Sequence, residues 1–93
     1  MNYVYIQRRG DLNTIIEQRK LLEDEPIEEL VDLYNNQVRI GIVGVHQQAL
    51  QLIAINMEFI KRLGESPIGI EDNTVISLKG FIKLEKGKIK FIN

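Results

Sequence analysis

Few residues in this chain could do covalent or acid–base chemistry, and their spacing argues against most of it. His46 is the only histidine, Ser66 and Ser77 are the only serines, and cysteine is absent. Nucleophilic catalysis needs a nucleophile, a base and an orienting group within reach of one another. Neither serine stands in an elbow or triad pattern. Ser66 precedes Pro67 just past an expected helix end, where loop chemistry accounts for it. His46, beside Gln47 and Gln48, reads as a hydrogen-bonded or exposed structural histidine. One imidazole with scattered carboxylates is a poor start for a metal centre. Glu71-Asp72 reads as the turn before a strand. The expectation is therefore no catalytic residue, no metal, no cofactor and no small-molecule substrate.

Two patterns point toward binding. Gly41-Ile42-Val43-Gly44 has the GxxG spacing with which KH modules clamp a nucleic-acid backbone, but Ile and Val between the glycines suit packing instead. Lys79, Lys83, Lys86, Lys88 and Lys90 form a basic cluster offset only by Glu85, which makes them candidate anion or nucleic-acid contacts. No aromatic is interleaved on that lysine face for base stacking, and no Arg is there for bidentate base readout. Solvation of an outer sheet face explains the lysines more simply. The acidic residues from Glu23 to Asp32 similarly complement the dipole of a helix start and solvate its surface.

Composition bounds the rest. Ninety-three residues suit one domain, 1–93, and 44% hydrophobic with 27% charged residues is ordinary globular composition. A net charge of −1 gives no global field for nucleic acid or an anionic membrane. The charge-free stretch from Ile40 to Met57 contains His46, Gln47, Gln48, Gln51 and Asn56, too polar for a membrane span. No signal-peptide pattern opens the chain. A cytoplasmic protein without membrane contact is expected, and the lack of Cys agrees.

The elements that must position these residues belong to an α+β fold. Asn2–Gln7 reads as a strand, ended by Arg8-Arg9-Gly10. Asp11 is a plausible N-cap for a helix to Glu23, with Leu12, Ile15, Ile16, Arg19 and Leu22 on one face. Pro26 opens a central helical region, long or kinked, over 26–63. Its apolar stripe runs Ile27, Val31, Tyr34, Val38, Ile42, Val45, Ala49, Leu52, in unbroken steps of four and three. The alternation of Val38, Ile40 and Ile42 leaves a strand over 37–45 as the alternative. Gly64 caps the region, and Glu65-Ser66-Pro67 with Gly69 reads as a loop. A strand follows over 74–78. Phe81–Glu85 and Lys88–Ile92 form a hairpin turning at Lys86-Gly87, with Leu84 facing Ile89 and Ile82 facing Phe91.

Leu50, Ile53, Met57 and Ile60 make a second apolar stripe on the central helical region. A helix apolar on two faces must be buried on two sides, and a small domain has little with which to cover both. The functional expectation is a non-catalytic interaction or assembly protein that forms a homo-oligomer through Ile53, Met57 and Ile60, with Gly41 and Gly44 allowing close approach. The alternative is a nucleic-acid-binding accessory protein using the lysine face.

Overall fold

A computed structural model describes residues 2–72 and 74–92. The element order is β1 (Asn2–Val4), α1 (Asp11–Glu23), α2 (Ile27–Ile40), α3 (His46–Leu63), β2 (Ile68–Glu71), β3 (Val75–Leu78), β4 (Ile82–Glu85) and β5 (Lys88–Phe91). The fold is α+β, as the periodicities imply. One antiparallel sheet has the order β1-β3-β2, and β4-β5 is a separate two-stranded sheet.

The central helical region is two helices separated by the connection 41–45, a sharper interruption than a kink. Gly41 (φ 82) and Gly44 (φ 79) lie at positive φ, which a helix cannot contain and which glycine adopts without steric cost. The Gln48 side chain secures the connection. Its amide nitrogen donates to Gln37 Oε1 (2.9 Å) and to the Gly41 carbonyl (2.9 Å), and its oxygen accepts the Val43 N–H (3.0 Å). No strand forms over 37–45. The unbroken phase of the apolar stripe survives because the re-aimed α3 turns the same kind of face inward. Tyr34, Ala49, Leu52 and Phe59 are buried, whereas Val45, inside the connection, is exposed.

β2 overturns the reading of its segment as loop. Gly69 pairs with Ser77, and a Cβ on Gly69 would lie 2.6 Å from the Ser77 hydroxyl oxygen, so the glycine permits the close approach of β2 to β3. The strand at the N-terminus is shorter than the apolar run suggests, although the Tyr5 N–H still bonds the Thr74 carbonyl. The first helix has the expected bounds, but its N-cap is Gly10 in a left-handed conformation; the Asp11 carboxylate is used elsewhere. Gly64 (φ 74) ends α3, its N–H bonding the Ile60 carbonyl.

The β4–β5 register matches the alternation: Ile82 opposite Phe91, Lys83 opposite Lys90, Leu84 opposite Ile89, Glu85 opposite Lys88. Two side chains of α2 dock this hairpin. Asn35 acts as a substitute strand for β4, donating from Nδ2 to the Ile82 carbonyl (2.9 Å) and accepting the Ile82 N–H at Oδ1 (2.9 Å). The Tyr34 hydroxyl donates to the Gly80 carbonyl (2.8 Å), and its ring meets Phe59 edge-on. Ile82 is 1% exposed, while Leu84 is only partly buried. Ile82→Ala should therefore cost about 2–5 kcal/mol, Leu84→Ala less, and Lys83→Ala within about 0.5 kcal/mol of zero. Denaturant midpoints of the three variants test that order.

Candidate interaction face

α1 and α3 pack against each other more extensively than any other pair of elements. Ile15 and Leu22 of α1 and Leu52, Ile55 and Phe59 of α3 supply buried side chains to the core. Ala49, Leu50 and Ala54 of α3 are buried as well, so of the second stripe Leu50 belongs to the core, but other apolar positions of both helices are left open. Leu12 is 61% exposed, Ile16 43%, Met57 38% and Ile60 51%, and Ile53 is partly buried. Leu12, Ile15, Ile53 and Met57 line one groove of about 310 Å³, completed by Tyr5, Gln7 and Ile70. Ile16 follows Leu12 by one turn of α1, and Ile60 follows Met57 on α3. The result is an apolar strip across both helices. Lys20 and Glu23 of α1 and Lys61 of α3 lie beside Ile16 and give its surroundings both signs of charge.

This face includes Ile53, Met57 and Ile60, named from helical spacing alone. It does not include Gly41 and Gly44. These lie before the start of α3, and Gly44 to Met57 spans roughly 20 Å of helical rise. Their backbone angles serve the connection, and a Cβ on Gly44 would face Tyr3 of the same chain at 4.0 Å. Leu12 and Ile16 join the face only through the packing of α1 on α3; on the sequence they belong to the expected buried face of α1.

The lysines lie elsewhere. Lys83, Lys88 and Lys90 are exposed on the outer hairpin face, with Lys86 at the turn (φ 55) and Lys79 before β4. Lys83 reaches Glu85 at 3.7 Å, and Glu85 stands opposite Lys88 in the register, so acidic charge is interspersed among them.

At one end of the α1–α3 face a polar network joins α1, α3 and the segment between β1 and α1. Asp11 Oδ2 accepts the Tyr5 hydroxyl (2.6 Å) and the Arg8 N–H (2.7 Å), and His46 Nε2 lies 2.9 Å from Oδ2 and 3.0 Å from Oδ1. The Tyr5 and His46 rings stack, with centroids 5.4 Å apart. Burial opposes the Asp11 charge, but the bonds from Tyr5, the Arg8 backbone and His46 outweigh it and lower the pKa to about 2. A carboxylate only accepts, so Nε2 carries a proton. Burial, and then the bond to Asp11 and its charge, raises the Tyr5 pKa to about 12. A carboxylate held so low is a poor general base near neutral pH. Of the two serines, Ser66 accepts the Ile68 N–H (3.1 Å) in the turn into β2, and Ser77 sits in β3 against Gly69. The network works as a structural clamp that joins the segment between β1 and α1 to α1 and α3.

The clamp has a pH signature. The folded-state pKa of Asp11 is depressed, so its contribution is complete above the unfolded-chain value near 4 and is lost as pH falls toward about 2. The folded-state pKa of Tyr5 is raised, so its contribution is complete below about 10 and is lost as pH rises toward about 12. Urea midpoints across pH should fall in both windows. Tyr5→Phe should remove the Tyr5 share of the alkaline fall and weaken the acid one; unchanged limbs would contradict the clamp.

Among the described residues, no helix is long and apolar enough to cross a membrane. Comparison with family models, with curated proteins and with solved structures finds no match to this chain.

Proposed function

We propose that this protein is a small non-catalytic interaction domain of the cytoplasm that assembles as a homodimer through the α1–α3 face. The observation that carries the reading is the strip of Leu12, Ile16, Met57 and Ile60, apolar side chains on two packed helices that the rest of the chain leaves open, with the partly buried Ile53 between them and the core. Clustered apolar surface of this kind marks contact sites, whereas scattered apolar residues need no explanation. A second copy is the occupant because the surroundings of the strip carry both signs of charge. A two-fold contact sets the same patch against itself, and a rim of one sign would then repel. Glu23 with Lys20 and Lys61 allows unlike charges to face each other. The lack of cysteine fits a reducing compartment.

Sedimentation equilibrium from low to high micromolar protein tests the reading. A monomer–dimer equilibrium within that range is expected, and a monomer at every concentration would overturn it. A duplex-DNA complex at physiological salt, lost when Lys83, Lys88 and Lys90 are replaced, would put a nucleic-acid role in its place. Phosphate contacts reveal themselves by a log–log salt slope of roughly −0.9 per neutralised charge.

A further inference from the structure

We propose that a small pocket between α1 and α3, bounded by Arg19, Lys20 and Lys61, binds a single oxyanion of the phosphate class. The pocket has a volume of about 140 Å³ and is completed by Ile16, Glu23 and Glu58. Arg19 Nε is buried and has no hydrogen-bond partner, and among the described residues it is the one side-chain nitrogen or oxygen in that position. Buried donors are paired in all but a few cases, so an unmatched guanidinium edge beside a pocket calls for an acceptor.

That acceptor is not Glu58. Its carboxylate is already held by Arg62, whose Nε donates to Oε1 at 2.9 Å, and Arg19 Nη2 stays 3.8 Å from Oε2, beyond hydrogen-bond length. Arg62 is itself committed, its terminal nitrogens donating to the carbonyls of Leu22, Glu23 and Glu25. Three cations, Arg19, Lys20 and Lys61, line the pocket against two carboxylates, Glu23 and Glu58, and Glu58 is also paired with Arg62. A guanidinium presents paired donors that match phosphate oxygens, and the two lysine ammonium groups add charge from either helix. Binding there requires rotation about the last torsions of the Arg19 side chain to bring its buried Nε edge to the anion. Sites for drug-sized ligands measure roughly 300–1,000 Å³. A pocket of 140 Å³ has room for one tetrahedral oxyanion group.

The test is a titration with inorganic phosphate at constant ionic strength, read by NMR at the arginine Nε–H and backbone amide resonances, with chloride as control. The expected result is saturable shifts at Arg19, Lys20 and Lys61, with Arg19→Gln weakening phosphate at least about tenfold and Lys61→Gln by a smaller factor. Lys61 is exposed, so its variant tests the site even where Arg19→Gln perturbs packing. Lys83→Gln, on the hairpin, should leave phosphate binding unchanged. Competition by a phosphoserine peptide and by phosphatidic acid vesicles tells a free anion from one carried on protein or lipid. Shifts that do not saturate, that chloride reproduces, that centre on the hairpin lysines or that persist unweakened in both pocket variants would overturn the proposal.

Discussion

Arg62→Ala should destabilise the fold by about 3–5 kcal/mol, the range for removing one partner of a buried ion pair. Arg62 spans the ends of two helices. Its Nε holds Glu58, which is 2% exposed, and its terminal nitrogens satisfy the carbonyls of Leu22 and Glu23, at the end of α1, and of Glu25 beyond it. The last carbonyls of a helix have no partner within it, and a cation there also suits the helix dipole. Alanine removes all of these bonds and leaves the Glu58 carboxylate beside Arg19 alone, at 3.8 Å. Arg62→Lys should recover only part of the loss, because a single ammonium cannot reproduce the planar fork. Denaturant unfolding with an unchanged m-value is the measurement. A loss below about 1 kcal/mol for the alanine variant would mean that Glu58 finds water or another donor.

Met57→Glu should leave the monomer folded and abolish its association. The side chain is 38% exposed, so a carboxylate there stays hydrated in the free chain. In a two-fold contact the substitution occurs twice, and burying two unpaired carboxylates costs about 3 kcal/mol or more, roughly a hundredfold in Kd. Ile53→Glu should act in the same direction but also lower stability, because Ile53 packs partly against the core. Sedimentation of Met57→Glu alongside its unfolding midpoint separates the two effects.

Elements set by local pattern were legible in the sequence. The hairpin register follows from strict alternation around Lys86-Gly87, since a slip of one residue would turn Ile82 and Ile89 to solvent. Helix α1 follows from its turn signals and Gly64 from the cations before it. β2 was hidden because Pro67 and Gly69 read as loop residues, while what makes Gly69 a strand residue is its distant neighbour Ser77. The break after Ile40 was masked by an apolar phase that continues across 41–45 although the backbone does not. The two glycines were the available signal, and the structure assigns them a turn where packing had been expected.

The candidate face was half legible for the same reason. Helical spacing marks Ile53, Met57 and Ile60, because a second stripe on one helix is visible without knowing its neighbours. Leu12 and Ile16 become part of the face only when Ile15 and Leu22 take the buried side of α1. The Tyr5–Asp11–His46 clamp links residues 35 positions apart, and Asp11 gave only a capping signal. Arg62 looked like a dipole partner in the last turn of α3. Its reach to Leu22 and Glu23 depends on how the two helices cross.

The most direct test of dimerisation through α1 and α3 uses the absence of native cysteine. A spin label at Glu17→Cys sits on the exposed surface of α1, one residue past Ile16, and one at Lys83→Cys sits on the outer face of the hairpin. Dipolar coupling between copies should be strong for the Glu17 label, weak for the Lys83 label, and abolished by dilution with unlabelled protein or by Met57→Glu. Coupling at the hairpin label in place of the helix label, or at neither label at any concentration, would contradict it.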